Sequence, residues 1–351
     1  MAVVLLMASA VLALAQAPGV RLVDDEERGT FVLTIGPMDL PAGGDHHGMH
    51  GAVLPPVGTV TLPRNAYLYG FDFDVVDGEG RPVPNEVLHH LNLIDSDHRE
   101  LFLPISQRML AIGRETGAQT MPRLLFGYPV RAGQRMVVSV MMHNPFPEDY
   151  AGVQLRVYLR YVKDGRPWPL FGVYPFQFDV AFPAGDKSFD LPPGTFARSY
   201  EAKPAMAGRV MVVGGHLHPY ATSLKFEDVT AGEVIWEGRP IEGEDRSLEG
   251  VSVGRLYKRL GVKIFPDHTY RVTVTYDNPT GDSIPEGGMG VIGGVFLPSG
   301  DGPWPVADTT DQLYVLDRKH YLREVQGRYE QILALVGGKE KPVPAAGHVH
   351  H

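Results

Sequence analysis

The chain has 351 residues, no cysteine and a formal net charge of -9. This excludes disulfides, thiolate metal sites and a thiol nucleophile, and argues against a nucleic-acid binder, which needs basic patches to neutralise phosphates. With 41 Gly and 30 Pro beside 44% hydrophobic residues, the composition suits neither a helical bundle nor a disordered chain and predicts many short strands joined by turns.

Residues 1–17 form an apolar run closing on Ala15-Gln16-Ala17, the small-residue pattern of a cleaved secretory signal peptide. The run is too short to span a bilayer comfortably. The mature chain is expected to be periplasmic or secreted, with no membrane span and no nucleic-acid partner.

Strand-like runs fill residues 18–183: FVLTI (31–35), AYLYGFDFDVV (66–76), EVLHHLNLI (86–94), RMVVSVMMH (135–143) and VQLRVYLRYV (153–162). A short helix is predicted near 106–114. FPAGDKSFDLPPG (182–194) reads as a linker. A second strand set covers 184–309: SYEA (199–202), GRVMVVGGHLH (208–218), SLKFEDV (223–229), EVIWEG (233–238), KIF (263–265), TYRVTVTYDN (269–278) and GVIGGVFLP (290–298). In each half a long strand leads into a polar turn, His143-Asn144-Pro145 or Asp277-Asn278-Pro279, but there is no tight repeat. The period then changes: Tyr321, Val325, Tyr329, Ile332 and Val336 predict an amphipathic helix over 310–337, capped by Asp308 or Thr310 and stopped by Gly337-Gly338. The tail 338–351, with three histidines, is expected to be disordered. The expected fold is all-β: two antiparallel β-sandwiches in tandem, then the helix.

The histidines are grouped. His89 and His90 are adjacent in one strand, His143 ends another, and His216 and His218 form an H-x-H. A strand's two-residue period points His216 and His218 to one face. His89 and His90 share a face only at a strand end or a bulge. Met289, in the glycine-lined EGGMGVIGGVF, is the candidate third ligand beside the H-x-H. Imidazole with thioether and no thiolate favours copper, Cu(I) above all.

Taken in order, LHHLNLID (88–95), VVSVMMHNP (137–145), GGHLHPYATSLKFEDV (214–229) and VTYDNPTGDSIPEGGMGVIGGVF (274–296) resemble the copper type II, ascorbate-dependent monooxygenases. The resemblance spans roughly residues 60–300. It implies two jelly-roll-like domains and two copper ions. His89, His90 and His143 would hold the electron-transfer copper; His216, His218 and Met289 would hold the catalytic, O2-activating one. It further implies that the two sites face each other across a solvent-filled cleft, with an electron donor such as ascorbate or an envelope reductant. The implied activity is hydroxylation of a C–H bond of a small-molecule or peptide substrate. A non-catalytic copper protein that stores, senses or delivers the metal is the alternative.

Three departures bear on the substrate. The family's animal members depend on disulfides, and this chain has none. Gly214 stands where the peptide-hydroxylating branch has an arginine, and Gly293 where it has a tyrosine. A peptidylglycine substrate is therefore not expected.

Outside these motifs, His46, His47, Met49 and His50 crowd PAGGDHHGMHG (41–51), a candidate extra copper site. His98, His268 and His320 read as structural or surface residues. The acidic groups Asp95, Asp97, Glu100 and Glu242, Glu244, Asp245 lack calcium-loop spacing and read as solvated surface.

Overall fold

The computed structural model describes residues 19–43, 52–113, 116–165, 169–181, 186–243, 248–300 and 302–325. The expected signal peptide, the segment with His46, His47, Met49 and His50, Gly337-Gly338 and the histidine tail lie outside them.

The fold is all-β. Among the described residues, eight principal strands build the first sandwich: β1 (Thr30–Leu40), β2 (Gly58–Thr61), β3 (Ala66–Val76), β4 (Leu88–Arg99), β5 (Ser106–Ile112), β6 (Phe126–Val130), β7 (Arg135–Met142) and β8 (Tyr150–Lys163), and Gly19–Asp25 adds an edge strand against β1. Eight build the second: β9 (Tyr174–Asp179), β10 (Gly194–Ala202), β11 (Gly208–Leu217), β12 (Ala221–Asp228), β13 (Glu233–Gly238), β14 (Val262–Ile264), β15 (Tyr270–Asn278) and β16 (Gly290–Pro298). The first sandwich pairs β1-β8-β3-β6 in one sheet and β2-β7-β4-β5 in the other. The second pairs β9-β16-β11-β14 and β10-β15-β12-β13. For these principal strands, adding eight to a label of the first sandwich gives its counterpart in the second, so two jelly-roll-like units stand in tandem.

The pattern of β8 shows why these segments are strands. Val153, Leu155, Val157, Leu159 and Tyr161 are buried in the first core, while the residues between them face outward. On the outer side Arg156 makes a two-pronged ion pair with its cross-strand partner Asp74 (2.6 and 2.7 Å).

The duplication extends to side chains. Asn144 follows β7 and Asn278 ends β15. Asn144 Nδ2 donates to the carbonyls of Leu40 and Glu148, and its Oδ1 accepts the Phe146 N–H. Asn278 Nδ2 donates to those of Leu191, Pro192 and Asp282, and its Oδ1 accepts the Thr280 N–H. Each amide fixes the turn that sends the chain back into its sandwich.

Four expectations change. The segment predicted helical near 106–114 is β5, paired to β4 through Leu93–Leu110 and Asn92–Ala111. It is buried on both sides, which erases the alternation that marks a strand. Tyr174–Asp179, placed before the 183/184 boundary, is β9 and pairs with β16 of the second sandwich. The C-terminal helix, α1, spans Gln312–Tyr321 rather than beginning at 310, and it ends before 325; residues 326–337 of the expected helix lie outside the described residues. Its cap is Asp311, which accepts the Leu313 N–H, while Asp308 is engaged with Thr310. Arg323, in the left-handed region at φ 62°, turns the chain out of the helix. Finally, Asp95 and Glu100 are 0% and 1% exposed and so are not solvated surface, whereas Asp97 is exposed as expected.

The two sandwiches interlock. Leu101, Phe102, Leu103 and Ile105, from the loop between β4 and β5, are buried in the second core. Phe102 stacks on Phe178 of β9, with centroids 4.5 Å apart. Glu100 accepts the Arg108 N–H from β5 (2.7 Å) and the Gln177 N–H from β9 (3.0 Å). α1 closes over β5 through a buried, bidentate Arg108–Asp317 pair.

Candidate metal centre

A bulge opens β4 at its start. Met141 of β7 pairs with His90 and Met142 with Leu88, so His89 is the extra residue. Leu88 and Leu91 are both fully buried, and the two residues between them are both on the outer side. The rings of His89 and His90 are consequently 4.3 Å apart, nearly perpendicular. His143 lies one step beyond the Met142–Leu88 pair, its N–H donating to the Val87 carbonyl (2.8 Å), and it is 9% exposed.

In the second sandwich β11 carries His216 near its end, and His218 directly follows the strand. Val213 and Leu217 face the core, leaving His216 and His218 on the outer face with rings 5.3 Å apart. Leu217 pairs with Gly290, the last pair of the ladder, and His218 and Met289 are the residues immediately beyond it on the two chains. The Tyr276 hydroxyl accepts the N–H of both Met289 (2.9 Å) and His218 (3.3 Å) and donates to the Met289 carbonyl. Burial pushes this phenol up to about 12, against the opposing pull of the two N–H groups. Its oxygen holds the end of the ladder where His218 and Met289 stand.

The two sets are not separated by a cleft. The rings of His90 and His216 lie 5.5 Å apart, edge to face. His89, His90, His216 and His218 therefore make a continuous chain of imidazoles at the junction of the sandwiches.

Asp179 was not singled out from the sequence. It stands in the same row of the sheet as His216, with Val291 of β16 between them. Its carboxylate is 1% exposed, accepts the Ala181 N–H and lies 3.7 Å from Lys187 Nζ. Burial raises its pKa to about 6, while Lys187 draws it back down. Only its place at the end of a strand marked it.

The glycines around Met289 divide into two kinds. At Gly294 a Cβ would collide with the Val212 carbonyl (2.2 Å), and at Gly215 with Leu224 and the Val291 carbonyl (2.4 Å each). These two are required by close packing. Gly214 and Gly293, directly paired across the ladder, are different. A Cβ there would meet only Val253 at 3.6 Å and the Phe176 carbonyl at 3.8 Å. They leave a bare floor beside His216.

The copper implied by the resemblance fits these donors in chemical type: paired imidazoles, with Met289 just beyond the ladder in the second set. Among the described residues no group of three His, Asp or Glu side chains is arranged to hold a metal ion. The other described histidines stand elsewhere: His98 Nδ1 is 2.7 Å from Asp95, His268 Nδ1 is 2.7 Å from Asp228, and His320 lies on α1.

No family model matches the chain, and no curated protein does. Solved structures give distant likenesses. The major capsid protein P2 from bacteriophage PM2 is 11% identical, over 76% of this chain and 99% of its own, with a TM-score of 0.35. PNGase F, a glycosylasparaginase from Flavobacterium meningosepticum, is 10% identical over 79% and 97%, with a TM-score of 0.39. PNGF-II is 8% identical over 79% and 67%, with a TM-score of 0.33. The fold assignment rests on the strand order itself.

Proposed function

We propose that the chain is an exported copper-dependent monooxygenase that hydroxylates a C–H bond using O2 and an external reductant. The observation that carries this is the convergence of two imidazole pairs, His89/His90 and His216/His218, from different sandwiches, with Met289 just beyond the ladder at the second. Copper, when bound there, supplies one-electron chemistry towards O2. The protein holds the donors on rigid strands, and the Tyr276 hydroxyl fixes the backbone of His218 and Met289. The Gly214–Gly293 floor carries no cation, and the Asp179 carboxylate stands two rows away, in the row of His216. Both features suit a slender, uncharged substrate rather than a carboxylate-bearing peptide.

The test is copper stoichiometry with ascorbate-driven O2 consumption. Two coppers per chain and reductant-dependent O2 uptake are expected. Met289→Ala should abolish the uptake and keep the copper at His89, His90 and His143. Full O2 consumption by that variant would remove the assignment.

A second reading, a non-catalytic copper carrier, is favoured by the direct contact of His90 with His216, which leaves no gap between their rings for a substrate. It predicts tight, exchangeable Cu(I) and no O2 uptake.

A further inference from the structure

Each sandwich sets a thioether beside an imidazole pair. In the second this is Met289, which with His218 stands just beyond the last pair, Leu217–Gly290. In the first it is Met141, the cross-strand partner of His90. The side on which Met141 lies follows from its neighbours. Met142 and Val140 are buried in the first core at 0% and 4% exposure, so Met141 between them faces outward and is half-buried. The bulge at His89 brings both imidazoles to that same outer side. Directly paired residues on one face have Cβ atoms about 4.5–5.5 Å apart, within reach of a three-carbon thioether and an imidazole sharing one ion. A methionine turned away from its own core, beside two histidines, has the donor chemistry of a Cu(I) ligand.

We propose that Met141 is a metal ligand of the first site, with His89 and His90, so that each sandwich offers copper one thioether. This rests on the copper reading above and goes beyond the three-histidine set expected there. A thioether in both sets favours the reduced ion at both.

X-ray absorption at the copper edge of the full chain loaded with Cu(I) decides this by counting sulfur neighbours. The wild type should show one sulfur per copper. Met141→Leu and Met289→Leu, which conserve volume, should each lose half of that signal at unchanged secondary structure, and the double variant should lose all of it. A Met141→Leu spectrum identical to wild type at full loading overturns the proposal and leaves the monooxygenase reading standing. Sulfur loss as expected, with no ascorbate-driven O2 uptake in the wild type, keeps Met141 as a ligand and removes the monooxygenase reading. Failure of the wild type to take up copper overturns both.

Discussion

The imidazole of His90 meets that of His216 at 5.5 Å and an interplanar angle of 77°, although one lies on β4 of the first sandwich and the other on β11 of the second. Nothing local brings them together. Their contact is fixed by what surrounds it: Gln107 Nε2 donating to the Pro175 carbonyl (3.0 Å), Glu100 bridging β5 to β9, and the Leu101–Ile105 loop buried in the second core.

Phe102 is the centre of that loop, 3% exposed and in ring contact with Phe176, Phe178, Phe226 and Tyr270. Phe102→Ala should destabilise the protein by about 3–5 kcal/mol, the range for emptying a buried aromatic site. Urea unfolding measures this. A loss below about 1 kcal/mol would show that the second core closes without the loop.

Tyr276→Phe removes the oxygen that accepts the His218 and Met289 N–H groups. The expected cost is about 1–3 kcal/mol, because partners are left unsatisfied while the ring stays packed. Hydrogen exchange should quicken at the amides of His218 and Met289. Unchanged protection there would mean that the hydroxyl does not hold the ladder end.

Asn144 and Asn278 are 2% and 1% exposed and bond to equivalent carbonyls. Asn144→Ala and Asn278→Ala should each cost about 1–3 kcal/mol. The double variant should show their sum, since the two sites share no partner. A neutral effect at either position would break the functional equivalence of the two turns.

Glu100 is fully buried, and desolvation raises its pKa to about 7 from an ordinary 4.5, against the pull of two backbone N–H groups. The folded state therefore binds its proton more tightly than the unfolded state. That stability is complete below about pH 4.5 and is lost as pH rises through 7, by about 3 kcal/mol in all. Glu100→Gln, neutral throughout, should flatten this part of the stability profile. The same slope in the variant would assign it to another group.

Strands with one wet face were legible: 66–76, 233–238 and 290–298 were bounded as they stand. β5 was not, because its polar residues Ser106, Gln107 and Arg108 are consecutive and are themselves buried, Arg108 against Asp317 of α1, so no alternation marks a wet face. The β9 boundary was missed for a related reason, since YPFQFD marks a strand without saying which sheet receives it. At the candidate site, the shared face of His216 and His218 follows from periodicity alone. That His89 leaves the ladder does not, because neither neighbour in LHHL differs in a way that selects the bulge. Asp179 and Tyr276 act through sheet rows and backbone groups, and such relations exist only once the strands are paired.

A hinge needs slack, and the Leu101–Ile105 loop removes it. For the sandwiches to rock apart, Phe102 would have to leave an aromatic nest in the opposite lobe, and α1 would have to release Arg108. Scanning calorimetry should record one melting peak for the whole body. Any chemistry at the seam proceeds in a vise whose jaws share a bolt, so small molecules must reach it by diffusion along the surface rather than by the opening of a mouth.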